Sequence, residues 1–328
     1  MSKKLVSILT PCYNGETYIM PYLESILAQT YTNIQLIFVN DGSKDNTEKI
    51  FTEFSKKLED RGIKVKYIYQ ENAGQAAAVN NGLKYVEGDY LIWPDSDDFL
   101  DTNLITKCVE FFEKNTDCGI IGFNANCYDV LDLNSKIGEN VHVLKEKATF
   151  EDYIMENGVL SAQTYMMDFK KFLQINPKRE IYIHRGGQNW QLTLPMIYNF
   201  KVGYMEDFLY NYVVRDNSHS HAPKSKEQIY SKYDGHEDIL INVVNSINMP
   251  ADEKSHYINI IRTKYARIRL IQATEYKDKK TAKEAYIKLK QHTKLVFKDR
   301  RYYLMSQLPI LYSLKLLVNR IRDGKNKK

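Results

Sequence analysis

The first hundred residues alternate short apolar runs with helical segments, and a polar cluster follows every run. Leu5–Thr10, Ile34–Val39, Val65–Tyr69 and Tyr90–Trp93 read as buried strands. Between them, Glu16–Gln29, Asn46–Leu58 and Gln75–Val86 have helical spacing, with Ile19, Leu23, Ile26 and Leu27 on one face of the first. Strands separated by helices of this length predict βαβ units and a parallel sheet. Such sheets bind ligands at the carboxyl ends of their strands. The clusters Thr10–Asn14, Asn40–Ser43, Gln70–Gly74 and Asp95–Asp98 should therefore share one rim.

The last of these clusters is the most specific. Asp95-Ser96-Asp97-Asp98 places three carboxylates within four residues at the end of a buried strand. They repel one another, so a cation is the expected companion. Hard carboxylate oxygens suit Mg²⁺ or Mn²⁺, ions that usually bridge a protein to substrate phosphates. Asp95 and Asp97 project to the same side because neighbouring side chains on an extended segment alternate. Asp98 has two readings of equal weight, a third carboxylate of the site or a cap for the helix near Asn103.

Beyond residue 101 the pattern is mixed. Asn103–Asn115 reads as a helix, Gly119–Asn124 as a strand and Trp190–Tyr198 as a helix, while residues 125–200 are otherwise poorly patterned. Lys201–Val214 holds strand-like pieces. From about residue 222 the chain reads as helical, with helices at Ser225–Asn248, from Pro250, and at Thr281–Phe297. With 328 residues the chain suits one large domain and a smaller appendage. Cys12, Cys108, Cys118 and Cys127 have no CxxC spacing and read as reduced thiols of a cytosolic protein. The apolar start is too short for a signal peptide and is broken by Pro11, and no run approaches the ~20 apolar residues of a membrane span. The net charge of +5 is a property of the tail, since residues from Lys294 onward carry ten Lys and Arg against Asp299 and Asp323.

Thr10-Pro11-Cys12-Tyr13-Asn14, Asn40-Asp41-Gly42-Ser43, Asn72-Ala73-Gly74 and Asp95-Ser96-Asp97-Asp98, in this order, resemble family 2 glycosyltransferases of the GT-A fold. The resemblance is strong over residues 4–125 and looser to about 221. It implies an α/β, Rossmann-like nucleotide-binding sheet flanked by helices over 1–221, with a nucleotide-sugar half (1–125) and an acceptor half (126–221). A mainly helical C-terminal region, 222–328, would follow. It implies that Thr10, Pro11 and Tyr13 line the nucleobase, that Asp41 accepts a base N–H, usually of uracil, and that Asp95 and Asp97 hold Mn²⁺ or Mg²⁺ on the diphosphate. Asp95 then also counts among the nucleotide-binding residues.

Two departures from the family pattern matter. The Asn72-x-Gly74 motif usually leads to an Ala-Arg-Asn triplet, whereas this chain has Ala78-Val79-Asn80, in which Asn80 has two readings, a remaining contributor to the site or, the better one, a helix-surface residue. The family's Gly-Glu-Asp-like motif, whose Asp takes the acceptor proton, corresponds to Gly187-Gln188-Asn189. Asn189 stands in the position of the base, and an amide cannot take a proton at neutral pH. Either another group serves (His184, Glu206 and Asp207 are nearby in sequence), or Asn189 orients the acceptor, or the acceptor oxygen is already ionised, as in a lipid phosphate. Downstream, Arg215-Asp216-Asn217-Ser218-His219-Ser220-His221 resembles the family's loop over the diphosphate. Arg215 and His219, and more weakly His221, are its candidates for phosphate, with His219 also a candidate metal ligand.

The resemblance thus predicts an inverting hexosyltransferase that takes a nucleotide-diphosphate sugar, commonly a UDP-sugar, to a glycan or lipid-linked acceptor in surface-polysaccharide or capsule synthesis. The protein would be cytoplasmic. A helical face of Leu308, Ile310, Leu311, Leu314, Leu317, Val318 and Ile321 flanked by Lys315, Arg320 and Arg322 has two readings. It suits an anionic membrane surface, making the protein peripheral at the inner membrane face, or a final helix docked on its own core. Nucleic acid is not expected as a partner. A non-catalytic sugar-nucleotide binder is the alternative function. A nucleotidyltransferase is a poorer one, because Thr10–Gly15 lacks the cation that its phosphate loop needs.

Overall fold

In this computed structural model residues 3–159, 163–184, 187–215 and 225–308 are described. The chain divides into two units, Met1–Ala222 and Pro223–Lys328. In the first, β1 (Val6–Cys12), α1 (Ile19–Leu27), β2 (Ile34–Asp41), α2 (Thr47–Asp60), β3 (Lys64–Gln70), α3 (Gln75–Leu83) and β4 (Tyr90–Ile92) succeed one another. There follow β5 (Phe99–Leu100), α4 (Leu104–Lys114), β6 (Cys118–Asp129), β7 (Asp132–Asn140), α5 (Phe150–Met155), β8 (Tyr165–Asp168), α6 (Phe169–Ile175), α7 (Gln188–Asn199) and β9 (Lys201–Val214). The second unit contains α8 (Lys226–Ser246), α9 (Ala251–Glu275), α10 (Lys279–His292) and α11 (Phe297–Gln307).

All nine described strands join one sheet in the order β3-β2-β1-β4-β8-β6-β9-β5, with β7 paired to β6. β1 and β2 are buried along their whole length, as strands covered on both faces must be. Helix α1 sinks Ile19, Tyr22, Leu23 and Ile26, the face its spacing predicts, although Leu27 is only partly covered. Helix α3 approaches β1 so closely that a side chain at Gly82 would overlap Leu9, which is why its packing face is so rich in alanine. Phe38, Phe51 and Tyr67 stack beneath α2, with the first two ring centroids 4.0 Å apart.

The sheet is continuously parallel through β3, β2, β1 and β4. β8 enters antiparallel between β4 and β6, pairing Tyr90 with Asp168 and Ile120 with Met167, and β9 then runs parallel to β6. The parallel sheet expected from the first hundred residues is thus present in β1 to β4, and the later strands make the whole sheet mixed. β7 (DLNSKIGEN) is mostly exposed and carries no apolar alternation, so nothing in its composition marks it as a strand. The helix expected over Thr281–Phe297 ends at His292, and a separate helix begins at Phe297. Thr293 is extended, and the buried Asp299 carboxylate accepts from Val296 N–H at 3.1 Å, starting a new helix. The amphipathic run from residue 309 lies outside the described residues. Among the described residues no helix is long and apolar enough to cross a membrane.

His142 lies beneath the second half of the sheet, 2% exposed, between the rings of Tyr165 and Tyr204 and 3.3 Å from the Thr164 hydroxyl. Burial pushes its imidazole down from 6.5 to about 4. The unfolded chain takes up this proton near pH 6.5 and the folded chain only near 4. Stability from this group is therefore complete above pH 6.5 and falls as pH drops toward 4, by at most about 3 kcal/mol. Urea unfolding of wild type and His142→Gln across that window measures it. The variant, whatever its starting stability, should lose much of the acid slope, and an unchanged slope would remove His142 from the account.

Candidate functional site

The turn after β2 and the loop after β3 are built around one carboxylate. Asp41 is buried, and its Oδ1 accepts from Gln70 Nε2 at 2.7 Å and Ala73 N–H at 2.9 Å. Its Oδ2 accepts from Asn72 Nδ2 at 3.2 Å and Gly74 N–H at 2.9 Å. Four donors occupy about the four acceptor positions a carboxylate offers. Asn40 closes its own turn by accepting from Ser43 N–H at 2.9 Å, and Ser43 Oγ accepts from Asn14 N–H at 2.9 Å. Gly42 has φ +73° and room for no side chain, since a Cβ would stand 2.6 Å from the Asn72 nitrogen. The motifs at 10–14, 40–43 and 72–74 are thus hydrogen-bonded into one rim.

At the β1 end, Thr10 turns its hydroxyl inward to Tyr22 and Pro11 is buried, while Tyr13 is 44% exposed. A ligand at this strand end would meet the Tyr13 ring, whereas Thr10 and Pro11 are buried beneath the rim.

Asp95, Asp97 and Asp98 each bring one carboxylate oxygen to within 4.8 Å of the others. Asp95 accepts from Gln75 Nε2 at 2.8 Å and from Gln163 Nε2. Asp98 is 2% exposed and spends both oxygens on β9, accepting from Tyr210 O–H at 2.8 Å and Val213 N–H at 2.8 Å. The cap reading for Asp98 therefore fails, because Asn103 precedes α4 and the Asp98 side chain points into the sheet. Burial pushes Asp95 up to about 6, against the amides and Arg215. Burial and then the Asp95 charge push Asp98 up to about 8. Asp97, the most open of the three, pairs with Arg215, whose guanidinium lies 4.3 Å over the Tyr18 ring. The Arg215 Nε is buried with no hydrogen-bond partner among the described residues.

This donor set fits a hard divalent cation. All three carboxylates retain lone pairs on oxygens that converge, and Asp98, buried with each oxygen bonded to β9, also ties the cluster to that strand. His219 and His221 lie outside the described residues.

Asn189 stands in the first turn of α7, where its Oδ1 accepts from Trp93 Nε1–H at 2.9 Å, two residues before Asp95. Asn189 is thus joined through Trp93 to the segment that carries the acidic cluster. Glu206 and Asp207 are committed elsewhere in exposed ion pairs, with Lys145 and, at 2.5 Å, with Lys107. His184 lies on the segment before α7, its ring near that of Tyr182. Asn80 is not a free surface residue. It exchanges two hydrogen bonds with the Ile181 backbone, 2.8 and 2.7 Å, and so clamps that segment to α3. Gln75, Gln163, Trp93 and Tyr210 were not singled out by the sequence. Gln75 follows a recognised turn and carried a signal by position, while Gln163 lies in an unpatterned stretch and carried none.

A Rossmann-like half-sheet with an acidic strand end and a curled mixed second half defines a GT-A glycosyltransferase fold. Residues 7–185 match the profile described as "Glycosyl transferase family 2", more than half of the chain, and the protein belongs to that family. It is similar to the glycosyltransferase GlyA of Streptococcus pneumoniae, 31% identical over 230 residues, covering 65% of this chain and 31% of that protein. It is also similar to an uncharacterised glycosyltransferase of Rickettsia typhi, 39% identical over 131 residues, covering 40% of this chain and 38% of that protein. The matches thus span about a third of each relative's length. Among solved structures, TarS 1-349 of S. aureus in complex with UDP-GlcNAc superposes with a TM-score of 0.62 at 16% identity. That match covers 92% of this chain and 91% of the other.

Gly42→Ala should destabilise the first unit by roughly 1–3 kcal/mol, because it forces a side chain into a left-handed φ and against the Asn72 backbone. Denaturant unfolding reads this directly. An unchanged midpoint would mean that the turn is not held against Asn72.

Proposed function

We propose that the protein is a metal-dependent, inverting glycosyltransferase that takes a sugar from a nucleotide diphosphate, with UDP the favoured carrier, to an acceptor of cell-surface glycan synthesis. The observation that carries this reading is the convergence of Asp95 and Asp97 beside Arg215, on the same rim as the Asp41 loop. The UDP-GlcNAc bound by TarS supports a UDP-sugar, and the GDP-Man and Mn²⁺ bound by the Pyrobaculum calidifontis mannosyltransferase (TM-score 0.54, 14% identity) support a metal-bound donor.

In this reading the Tyr13 ring covers the base. A base N–H reaches Asp41 by taking the place of a side-chain amide, Gln70 or Asn72, because the carboxylate's four acceptor positions are otherwise filled. Asp95 and Asp97 hold Mn²⁺ or Mg²⁺, which when bound neutralises charge on the diphosphate. Arg215, and His219 from the following loop, pair with the phosphate oxygens as the leaving group gains charge. The acceptor oxygen attacks the anomeric carbon in line while the bond to the diphosphate oxygen breaks, its electron pair leaving with the nucleotide. Asn189, held by Trp93, orients the acceptor and takes no proton. An acceptor oxygen that is already ionised, such as a phosphate, needs no base. Lipid-linked acceptors of this kind would place the enzyme at the inner face of the cell membrane, with the basic C-terminal tail toward anionic lipid.

The amides Gln188 and Asn189 favour one other reading, a sugar-nucleotide binder without turnover. Incubation with Mn²⁺ and a set of UDP-sugars separates the two. The enzyme should release UDP slowly without added acceptor, and Asp97→Ala should lower that rate at least about a hundredfold, or roughly 2.7 kcal/mol. Tight nucleotide binding with no turnover, with or without phosphate-bearing acceptors, would establish the binder instead.

A further inference from the structure

The C-terminal unit is strongly basic. Residues 223–328 carry 24 Lys and Arg against 11 Asp and Glu, a formal +13, while residues 1–222 carry 22 against 30, a formal −8. Within this unit α9 and α10 pack closely through Ala266, Leu270, Ala273, Ala282, Ala285 and Leu289, and the small alanines let the two backbones approach. Past Ala266 the interface opens. A cavity of about 240 Å³ lies there, walled by Glu237 of α8, Arg262 and Tyr265 of α9, and Lys288, Gln291 and His292 of α10. Two hydrogen bonds between Asn259 and His292, 2.7 and 3.1 Å, tie the helices together again next to it.

The polar groups around this cavity are uncommitted. Among the described residues the side chains of Arg262, Lys288, Glu237 and Gln291 make no hydrogen bond or ion pair. Arg269, also on the wall, is already engaged by Asp234 and the Tyr230 carbonyl. Two unpaired cations beside an unpaired carboxylate and an unpaired amide describe a ligand of two parts. Arg262 and Lys288 suit a phosphate, for which a guanidinium and an ammonium are the usual partners. Glu237 and Gln291 suit hydroxyl groups, which a bare phosphate does not have. The volume is below the roughly 300–1,000 Å³ of sites for drug-sized ligands, so the ligand is small.

We propose that the cavity between α8, α9 and α10 binds a phosphorylated polyol group, with Arg262 and Lys288 on the phosphate and Glu237 and Gln291 on its hydroxyls. The site belongs to the helical unit and does not rest on the donor-site reading. The Glu237 carboxyl is pushed up by burial while Lys288 and Arg262 draw it down, which agrees with a carboxylate that lies near both cations yet is paired with neither. The same chemistry occurs in two sources, the headgroup of phosphatidylglycerol and a soluble or polymer-borne glycerol phosphate.

The full-length protein is titrated calorimetrically with glycerol 1-phosphate, inorganic phosphate and glycerol, and separately sedimented with phosphatidylglycerol vesicles. Saturable binding of glycerol 1-phosphate, tighter than inorganic phosphate and with glycerol silent, is the expected result. Arg262→Ala and Lys288→Ala should each weaken it about tenfold or more, with Arg262→Lys intermediate. Glu237→Gln should narrow the preference for glycerol 1-phosphate over inorganic phosphate. Both cations are exposed, so the variants should keep the wild-type circular dichroism. Vesicle binding lost in Arg262→Ala identifies the lipid headgroup, and vesicle binding unchanged while glycerol 1-phosphate binding is lost identifies the soluble or polymer source. No saturable binding of glycerol 1-phosphate, equal affinity for inorganic phosphate, or binding unchanged in both alanine variants would overturn the proposal.

Discussion

Like-charge repulsion among Asp95, Asp97 and Asp98 is the constraint around which the first unit is arranged. Three carboxylates with oxygens within 4.8 Å of one another would push the strand end apart unless each were answered locally. The fold answers each differently. Asp98 is buried and fastened to Tyr210 and Val213 of β9, Asp95 receives amides from Gln75 and Gln163, and Asp97 faces Arg215. Those partners come from α3, from the segment before β8 and from both parts of the β9 end. The second half of the sheet therefore brings the segment before β8 and the end of β9 to the acidic point that α3 also reaches.

The neighbouring rim follows the same logic on a smaller scale. Asp41 is saturated by donors from residues 70–74, and Gly42 makes way for Asn72, so the turns after β2 and β3 are one hydrogen-bonded object. A rim organised this way is set before any ligand arrives, which limits the cost of ordering it on binding. Asn189 links this region to α7 through Trp93, and Asn80 links α3 to the segment before α7 through the Ile181 backbone.

Much of this was legible in the residues because local rules and the global fold agree in the first half. Apolar runs of strand length, helical spacing at Ile19, Leu23 and Ile26, and turn residues after each run all point to the same βαβ order. The second half was less legible for physical reasons. β8 joins the sheet antiparallel, a choice made by tertiary pairing that leaves no mark on its four residues, and β7 is exposed on both faces and so lacks alternation. Asp98 illustrates the limit within a motif. Its identity and spacing fit a ligand or a cap, and only the position of Tyr210, 112 residues away, decides that it is a fastening. The break at Thr293 was hidden similarly, since Asp299, which caps α11, lies beyond the run that reads as one helix.

The charge of the chain is divided between its units, with the acidic one carrying the carboxylate site and the basic one carrying the uncommitted cations. In the proposed function, Asp95 and Asp97 of the first unit would hold a divalent cation together with a nucleotide diphosphate. Anomalous diffraction from crystals grown with Mn²⁺ and UDP tests it most directly. A manganese peak is expected within coordination distance of an Asp97 oxygen and of the diphosphate, with Arg215 displaced from Asp97. A nucleotide bound on this rim with no manganese at Asp97, or with Arg215 still paired to it, would contradict the account.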